Sequence, residues 1–397
     1  MKILKLEIEG YKSLKHVVWE PGDLNVLIGP NGSGKSNLLR LLEMLSASAN
    51  NRLSDFLRSE RGLGYLLWDG RADGIKISLR AQVGEADQRS PALDYAVTIK
   101  PIGESMQHTV AEEKCDSEIG GEPNRLLTLT LDKESRRALI KFPHGAEAGE
   151  RTHFAEPFLT ETVLSRVRYM GAEADDPLML LAKGLMAIGC YHGFDSDYDS
   201  AIRGPMMTRF ERDLMADGKN LINFLHTHYT ENKKFRKDLD DVMRAAFGSA
   251  LDEIIFTPAA DQYIQMRVRW KDLEWAQPPG VLSDGILRFF YLAAILLAPN
   301  LPSVLAIDEP EIGFHPSIFP IIAELAARAS ERTQVVLTTH SPEFLNAFED
   351  VQPTVTIFEW HDGETEMRNL SDENLKYWLE KYKLGELFRT GGLEAID

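Results

Sequence analysis

Positive charge is in short supply in this chain: 44 Lys and Arg against 61 Asp and Glu leave a formal net charge of −17 over 397 residues. That balance argues against a constitutive basic surface for duplex nucleic acid, which must displace counterions from a polyanion. Cysteine is scarce as well. Cys115 and Cys190 are too few for a disulfide scaffold, and neither belongs to a C-x-x-C pair. This usage suits a reducing cytosol, so a cytoplasmic location is expected. Long apolar runs are missing. The longest, Phe289 to Ala298, is too short to span a bilayer, and the alternating start Met1-Lys2-Ile3-Leu4-Lys5-Leu6-Glu7-Ile8 has no signal-type apolar stretch, so no membrane partner is expected. No heptad pattern is sustained, which excludes a long coiled coil, and no internal repeat is evident. The guanine motif N-K-x-D is also absent, which disfavours a GTPase.

What is present is concentrated in short motifs. Gly29-Pro30-Asn31-Gly32-Ser33-Gly34-Lys35-Ser36 satisfies G-x-x-x-x-G-K-[ST] in full. Leu24, Val26, Leu27 and Ile28 before it read as a buried parallel strand, and Leu38, Leu41, Leu42 and Leu45 after it fall on one face of a helix. Glycines let backbone N–H groups turn inward around phosphate oxygens, and a helix N-terminus adds positive partial charge. Gly29 to Asn37 are therefore the expected ATP cradle. Lys35 is expected to reach the β- and γ-phosphates, and the Ser36 hydroxyl to hold Mg²⁺. Lys35 is expected to stand exposed, serving phosphate and not the core.

Three further elements narrow the chemistry. Val304 to Ile307 form a strand that delivers Asp308 and Glu309 at its end; Asp308 suits a Mg²⁺ role and Glu309 that of general base toward water. Val335 to Thr339 form another buried strand ending in His340, which can hydrogen-bond a γ-phosphate and sense its loss. Leu282-Ser283-Asp284-Gly285 opens an apolar helix, and a serine there can grip phosphate with its hydroxyl and the free N–H groups. Paired acids, this serine and this histidine have no role in a P-loop kinase.

The order P-loop, Leu282-Ser283-Asp284-Gly285, Asp308-Glu309-Pro310-Glu311 with His315-Pro316, then Thr338-Thr339-His340-Ser341-Pro342, resembles the ABC-type ATPases of the RecF/SMC branch. More narrowly it resembles the compact "predicted ATPase" relatives of the overcoming-lysogenisation-defect proteins, without a nuclease domain. Ile8-Glu9-Gly10-Tyr11-Lys12-Ser13-Leu14, Asp217-Gly218-Lys219-Asn220-Leu221, Tyr377-Trp378-Leu379 and Leu384-Gly385-Glu386-Leu387 also match. The likeness is firm at both ends and loose across residues 50–215. It implies an α/β P-loop NTPase head of ABC type: a mixed, parallel-containing sheet with flanking helices, an antiparallel β-layer and an inserted short helical arm. It also implies a homodimer closing on two ATP molecules, with Ser283 and Gly285 of one copy acting on ATP held by Lys35 and Ser36 of the other. DNA transactions or phage defence follow as the implied setting, with DNA or a separately encoded effector protein as candidate partners. Asp284 and Ile286 stand where transporter signatures carry glycine and glutamine, and no glutamine in the middle region can be selected as the glutamine loop.

The expected organisation is residues 1–175 for the N-terminal part of the head, 176–250 for the arm and 251–397 for the C-terminal part. Alternation predicts strands around 75–83, 95–99 and 127–131, an exposed polar loop over 103–122, and helices over 178–188, 209–215, 221–228 and 235–247. Strands return over 253–256 and 263–270. Lys233, Lys234, Arg236, Lys237 and Arg244 form a candidate basic patch interleaved with Asp238, Asp240 and Asp241. Asp195, Asp197 and Asp199 imitate a calcium loop, but Ser200 replaces the required glycine and Met206 the closing glutamate. Tyr11 is a candidate to stack on adenine or simply to pack. The chemistry these residues support best is ATP hydrolysis; the alternative is a slow ATP-gated assembly module acting through a nuclease or toxin partner.

Overall fold

Alternation at the start of the chain becomes β1 (Lys2–Tyr11), with Ile3, Leu6 and Ile8 fully buried. It pairs antiparallel with β2 (Leu14–Trp19), setting Leu6 opposite Trp19 and Ile8 opposite Val17. A computed structural model describes residues 1–84, 92–103, 107–119, 122–131, 136–142, 149–154, 159–260, 262–348 and 351–370. The motifs Tyr377-Trp378-Leu379 and Leu384-Gly385-Glu386-Leu387 lie outside the described residues. The chain forms two units. The first holds Met1–Cys190, Ser303–Ala306 and Thr354–Leu370; the second holds, among the described residues, Tyr191–Pro302 and Ile307–Pro353.

In the first unit β3 (Leu24–Ile28) is buried at every position, as a strand covered on both faces must be. It feeds α1 (Lys35–Ala49), followed by α2 (Leu53–Ser59). Then β4 (Ile75–Gln82), β5 (Ala92–Pro101), β6 (His108–Ile119), β7 (Glu122–Leu131), β8 (Arg136–Phe142) and β9 (Gly149–Phe154) extend the β1–β2 pair. The result is an antiparallel sheet in the order β2-β1-β4-β5-β6-β7-β8-β9. Next comes α3 (Pro177–Met186), capped by the Asp176 carboxylate and packed on α1, and then β10 (Ile188–Tyr191).

The second unit is mostly helical. After β11 (Met206–Met207) come α4 (Leu221–Glu231) and α5 (Lys233–Phe247). A ribbon, β12 (Leu251–Ala260) and β13 (Tyr263–Trp270), leads to α6 (Asp284–Leu297) and β14 (Val304–Ile307), which ends in this unit. α7 (Phe319–Ser330), β15 (Gln334–Thr339) and α8 (Pro342–Asn346) complete it. α4 and α5 pack on each other and on α6. Phe247 and Phe314 meet Phe289 edge to face, with ring centres 5.4 and 5.9 Å away. The chain then returns to the first unit with β16 (Thr354–His361), parallel to β3 through Val355 and Val26, and β17 (Glu364–Asn369) antiparallel to β16. No helix among the described residues is long and apolar enough to cross a membrane.

Three stretches differ from the sequence expectation. The arm expected over 176–250 is divided: α3 belongs to the first unit, while α4 and α5 form part of the helical layer of the second. The segment expected as a loop over 103–122 contains β6. Its inward residues include Val110, Cys115 and the carboxylate Glu113, so a polar residue breaks the apolar alternation. Residues 209–215 are not helical. Side chains of α4 and its cap satisfy their backbone instead: Asn223 accepts from the Arg209 N–H, Thr227 from Glu211 and Asn220 from Met215.

Glu113 is fully buried and accepts hydrogen bonds from the Val163 and Leu164 N–H groups, at 2.6 and 2.9 Å, and from the Tyr95 hydroxyl. Burial dominates over these bonds and pushes its carboxyl up to about 7. A carboxyl whose pKa is raised in the fold loses stability as pH climbs from the unfolded value to the folded one. The thermal midpoint is therefore expected to fall by several degrees between pH 5 and pH 8 on this account. In Glu113→Gln that part of the slope should vanish; scanning calorimetry across this range checks it, and an unchanged slope refutes it.

Candidate active site

The phosphate loop lies between β3 and α1. Gly29, at φ +152°, leaves no room for a side chain, because a Cβ would meet the Phe358 carbonyl oxygen at 2.3 Å. Gly34, at φ +107°, is equally closed: a Cβ would stand 2.4 Å from Thr365 Oγ1. That hydroxyl lies 2.7 Å from Ser13 Oγ and donates to the Ser33 carbonyl at 2.8 Å, while Asn37 donates to Ser13 at 2.8 Å. β17 and the β1–β2 turn thus brace the loop. Pro30, Asn31, Gly32 and Ser36 are exposed at its mouth.

Lys35 departs from expectation. Its side chain is 5% exposed, and its ammonium donates to the Gly29 carbonyl at 2.7 Å and the Pro30 carbonyl at 3.0 Å. An ammonium has only donors, so the nearest loop carbonyls draw it inward. The Ser33 hydroxyl is buried and has no hydrogen-bond partner among the described residues. A glycine cradle, an inward ammonium and an orphaned hydroxyl fit a polyphosphate. Tyr11 is fully buried, which rules it out as a stacking surface for adenine.

In the second unit the acids and the histidine come together. Thr338, near the end of β15, donates from its hydroxyl to Asp308 Oδ1 at 2.5 Å and accepts from the Glu309 N–H at 2.9 Å. The Asp308 N–H donates to the Tyr191 carbonyl, and His192 Nδ1 lies 3.5 Å from Asp308 Oδ2. Glu309 has φ +47°, the left-handed region that costs a non-glycine residue energy and clusters at functional sites. This backbone aims its carboxylate at His340, whose Nδ1 is 2.8 Å from Glu309 Oε1. His192, Asp308, Glu309 and Arg288 line a cleft of about 130 Å³. Glu311 is buried, accepts from the Thr339 hydroxyl, and has its carboxyl raised by burial. Ser283 is exposed and caps α6, accepting from the Ile286 N–H at 3.4 Å. A side chain at Gly285 would meet only the Gly313 carbonyl, at 3.6 Å, so packing does not demand glycine there.

Sequence reasoning missed Thr338, Thr339 and His192. The threonines carried a signal, since polar residues closing an apolar strand need buried partners. His192 carried none. Removing the Thr338 hydroxyl frees Asp308 and the Glu309 N–H together. Thr338→Val is expected to keep nucleotide binding and lower hydrolysis by about 10- to 100-fold, the usual cost of losing a hydrogen-bond partner that orients a functional carboxylate. Parent-like turnover in a phosphate-release assay would refute this.

Comparison with known proteins places these motifs in a family. Residues 24–346 match the AAA domain family described as "putative AbiEii toxin, Type IV TA system". An OLD nuclease of Thermus scotoductus is 20% identical over 413 residues, spanning 99% of this chain and 69% of that protein. Among solved structures, an SmcHead bound to the C-winged helix domain of ScpA superposes with a TM-score of 0.54 at 15% identity, covering 95% of this chain and all of that one. An Smc head domain with an extended coiled coil from Pyrococcus furiosus, bound to the C-terminal domain of ScpA, covers 96% of this chain and 99% of its own at 14% identity and a TM-score of 0.48. At these identities the 0.54 likeness establishes the fold, that of a P-loop NTPase head.

Proposed function

Because this chain belongs to the AAA domain family described as "putative AbiEii toxin, Type IV TA system", we propose that it binds ATP with Mg²⁺ and hydrolyses it to ADP and phosphate, cycling between single and paired copies. The observation that carries the reading is the Glu309–His340 contact, 2.8 Å long, on a backbone held at φ +47° beside Asp308. His340, protonated on Nδ1, donates to the Glu309 carboxylate and fixes its direction. Glu309 takes the proton of the attacking water as its oxygen bonds to the γ-phosphorus and the bond to the β-phosphate oxygen breaks. Lys35 and backbone N–H groups of the loop, from Asn31 to Asn37, bind the phosphates and take up charge on the ADP leaving group. Ser36 and Asp308 would hold Mg²⁺, which neutralises phosphate charge when bound. Ser283 and Gly285 complete the site from a second copy.

The setting we propose is cytosolic, in DNA transactions or phage defence; in support of a nucleic-acid setting, one relative is named a nuclease. Exposed Lys233, Lys234, Arg236 and Lys237 on α5 supply a basic face for DNA. The second reading, an ATP-gated module acting through a separate effector, draws on the toxin–antitoxin description of the family. Phosphate release by the purified chain with Mg²⁺, with and without duplex DNA, separates them. Turnover by the chain alone or with DNA supports the first reading. Turnover only on adding a partner protein supports the second, and none under any condition refutes hydrolysis.

A further inference from the structure

The signature of this chain has an aspartate beside its phosphate-gripping serine, a poor neighbour for a polyphosphate. Asp284 is not bare, however. Arg203 Nη2 donates to Asp284 Oδ1, although the two residues are far apart in the chain. The same guanidinium donates from Nη1 to the carbonyls of Pro279, at 3.1 Å, and Leu282, at 3.0 Å, the turn that leads into Ser283. From Nε it reaches the carbonyls of Ser196 and Asp197, at 2.9 and 3.1 Å. One side chain, 10% exposed, thus bonds four backbone carbonyls and the Asp284 carboxylate, whose own side chain is 63% exposed. Only a planar five-donor fork can do this; lysine has neither the reach in two directions nor the geometry.

The segment so held has a second end. It begins at His192, beside Asp308 in the catalytic cleft, and its buried Ser196 accepts from Arg288 of α6 at 3.3 Å. The triplet Asp195, Asp197 and Asp199, which fails as a calcium loop, lies inside it. There Asp195 accepts from the Asp197 N–H and the Ser200 hydroxyl, and Asp197 bonds Arg203 through its carbonyl.

We propose that Arg203 is a positioning residue for the signature: it fixes the Pro279–Leu282 turn and neutralises Asp284, so that Ser283 meets the nucleotide of a second copy without an uncompensated carboxylate beside it. This rests on the reading that two copies close on ATP. The departure from glycine at position 284 then has a chemical account. The aspartate favours the positive end of α6, and Arg203 removes its repulsion toward phosphate.

The test is ATP-driven pairing in a Glu309→Gln background, followed by sedimentation, with ATP affinity measured separately by a fluorescent analogue and folding by thermal melting. Arg203→Ala is expected to weaken pairing by about 10- to 100-fold, the cost of removing charged hydrogen bonds, with ATP binding by the single chain unchanged. Adding Asp284→Asn to it should recover a large part of the loss, which a purely structural role would not allow. Asp284→Ala with Arg203 intact should pair as well as the parent or better; this exposed change tests the charge account even where Arg203→Ala melts early. Parent-like pairing by Arg203→Ala, no recovery in the double variant, or weaker pairing by Asp284→Ala overturns the proposal. A Ser283→Arg control separates the two readings. If it pairs normally, closure through the signature fails and takes this proposal with it; if it alone blocks pairing, only the role of Arg203 fails.

Discussion

Glu309→Gln is expected to bind ATP as tightly as the parent and to hydrolyse it about 10²- to 10⁴-fold more slowly, the usual worth of a positioned general base. The substitution keeps size and one acceptor oxygen and removes the carboxylate that takes a proton. The His340 Nδ1–H can still donate to the amide oxygen, and the Glu309 N–H can still donate to Thr338. Geometry and nucleotide binding should therefore survive while turnover collapses. Single-turnover measurement with radiolabelled ATP checks this; a loss smaller than about ten-fold would assign the base to another group.

Lys35→Ala carries the second large effect. An ammonium against phosphate oxygens makes charge-assisted hydrogen bonds, and its loss should weaken ATP binding by about 100-fold or more. Its buried, carbonyl-bonded position adds a consequence that an exposed lysine would not have. Removing it leaves the Gly29 and Pro30 carbonyls without the 2.7 and 3.0 Å donors they hold now. The melting temperature is thus expected to fall by a few degrees even without nucleotide. Titration with a fluorescent ATP analogue and a parallel melt test both parts, and unchanged affinity would remove the phosphate loop from the account.

The phosphate loop was legible in the sequence because its residues form one contiguous motif between an apolar strand and an amphipathic helix; that Gly29 and Gly34 sit where a Cβ would collide with Phe358 or Thr365 was not. The apolar runs of β3, β14 and α6 were legible for a similar reason, since full burial leaves a continuous apolar signal. Glu113 shows where such reading ends. A carboxylate held by Val163, Leu164 and Tyr95 looks polar in sequence, and it disguised β6 as a loop. Residues 209–215 failed for the complementary reason, because their backbone is satisfied by α4 side chains distant from any local helix signal. The division of the chain and the clamp of Arg203 on Asp284 both depend on contacts across long stretches of sequence, which no local period encodes.

ATP is expected to close two copies around Ser283. ATP that binds the pair better than the single chain must shift the population toward the pair, and blocked hydrolysis must preserve it. Light-scattering mass of Glu309→Gln with ATP and Mg²⁺ measures this most directly, with Ser283→Arg in the same background as comparison. A doubled mass for Glu309→Gln that Ser283→Arg abolishes, with ATP still bound by each single chain, is the predicted result. A single-chain mass for Glu309→Gln at saturating ATP, or loss of ATP binding in Ser283→Arg itself, would contradict it.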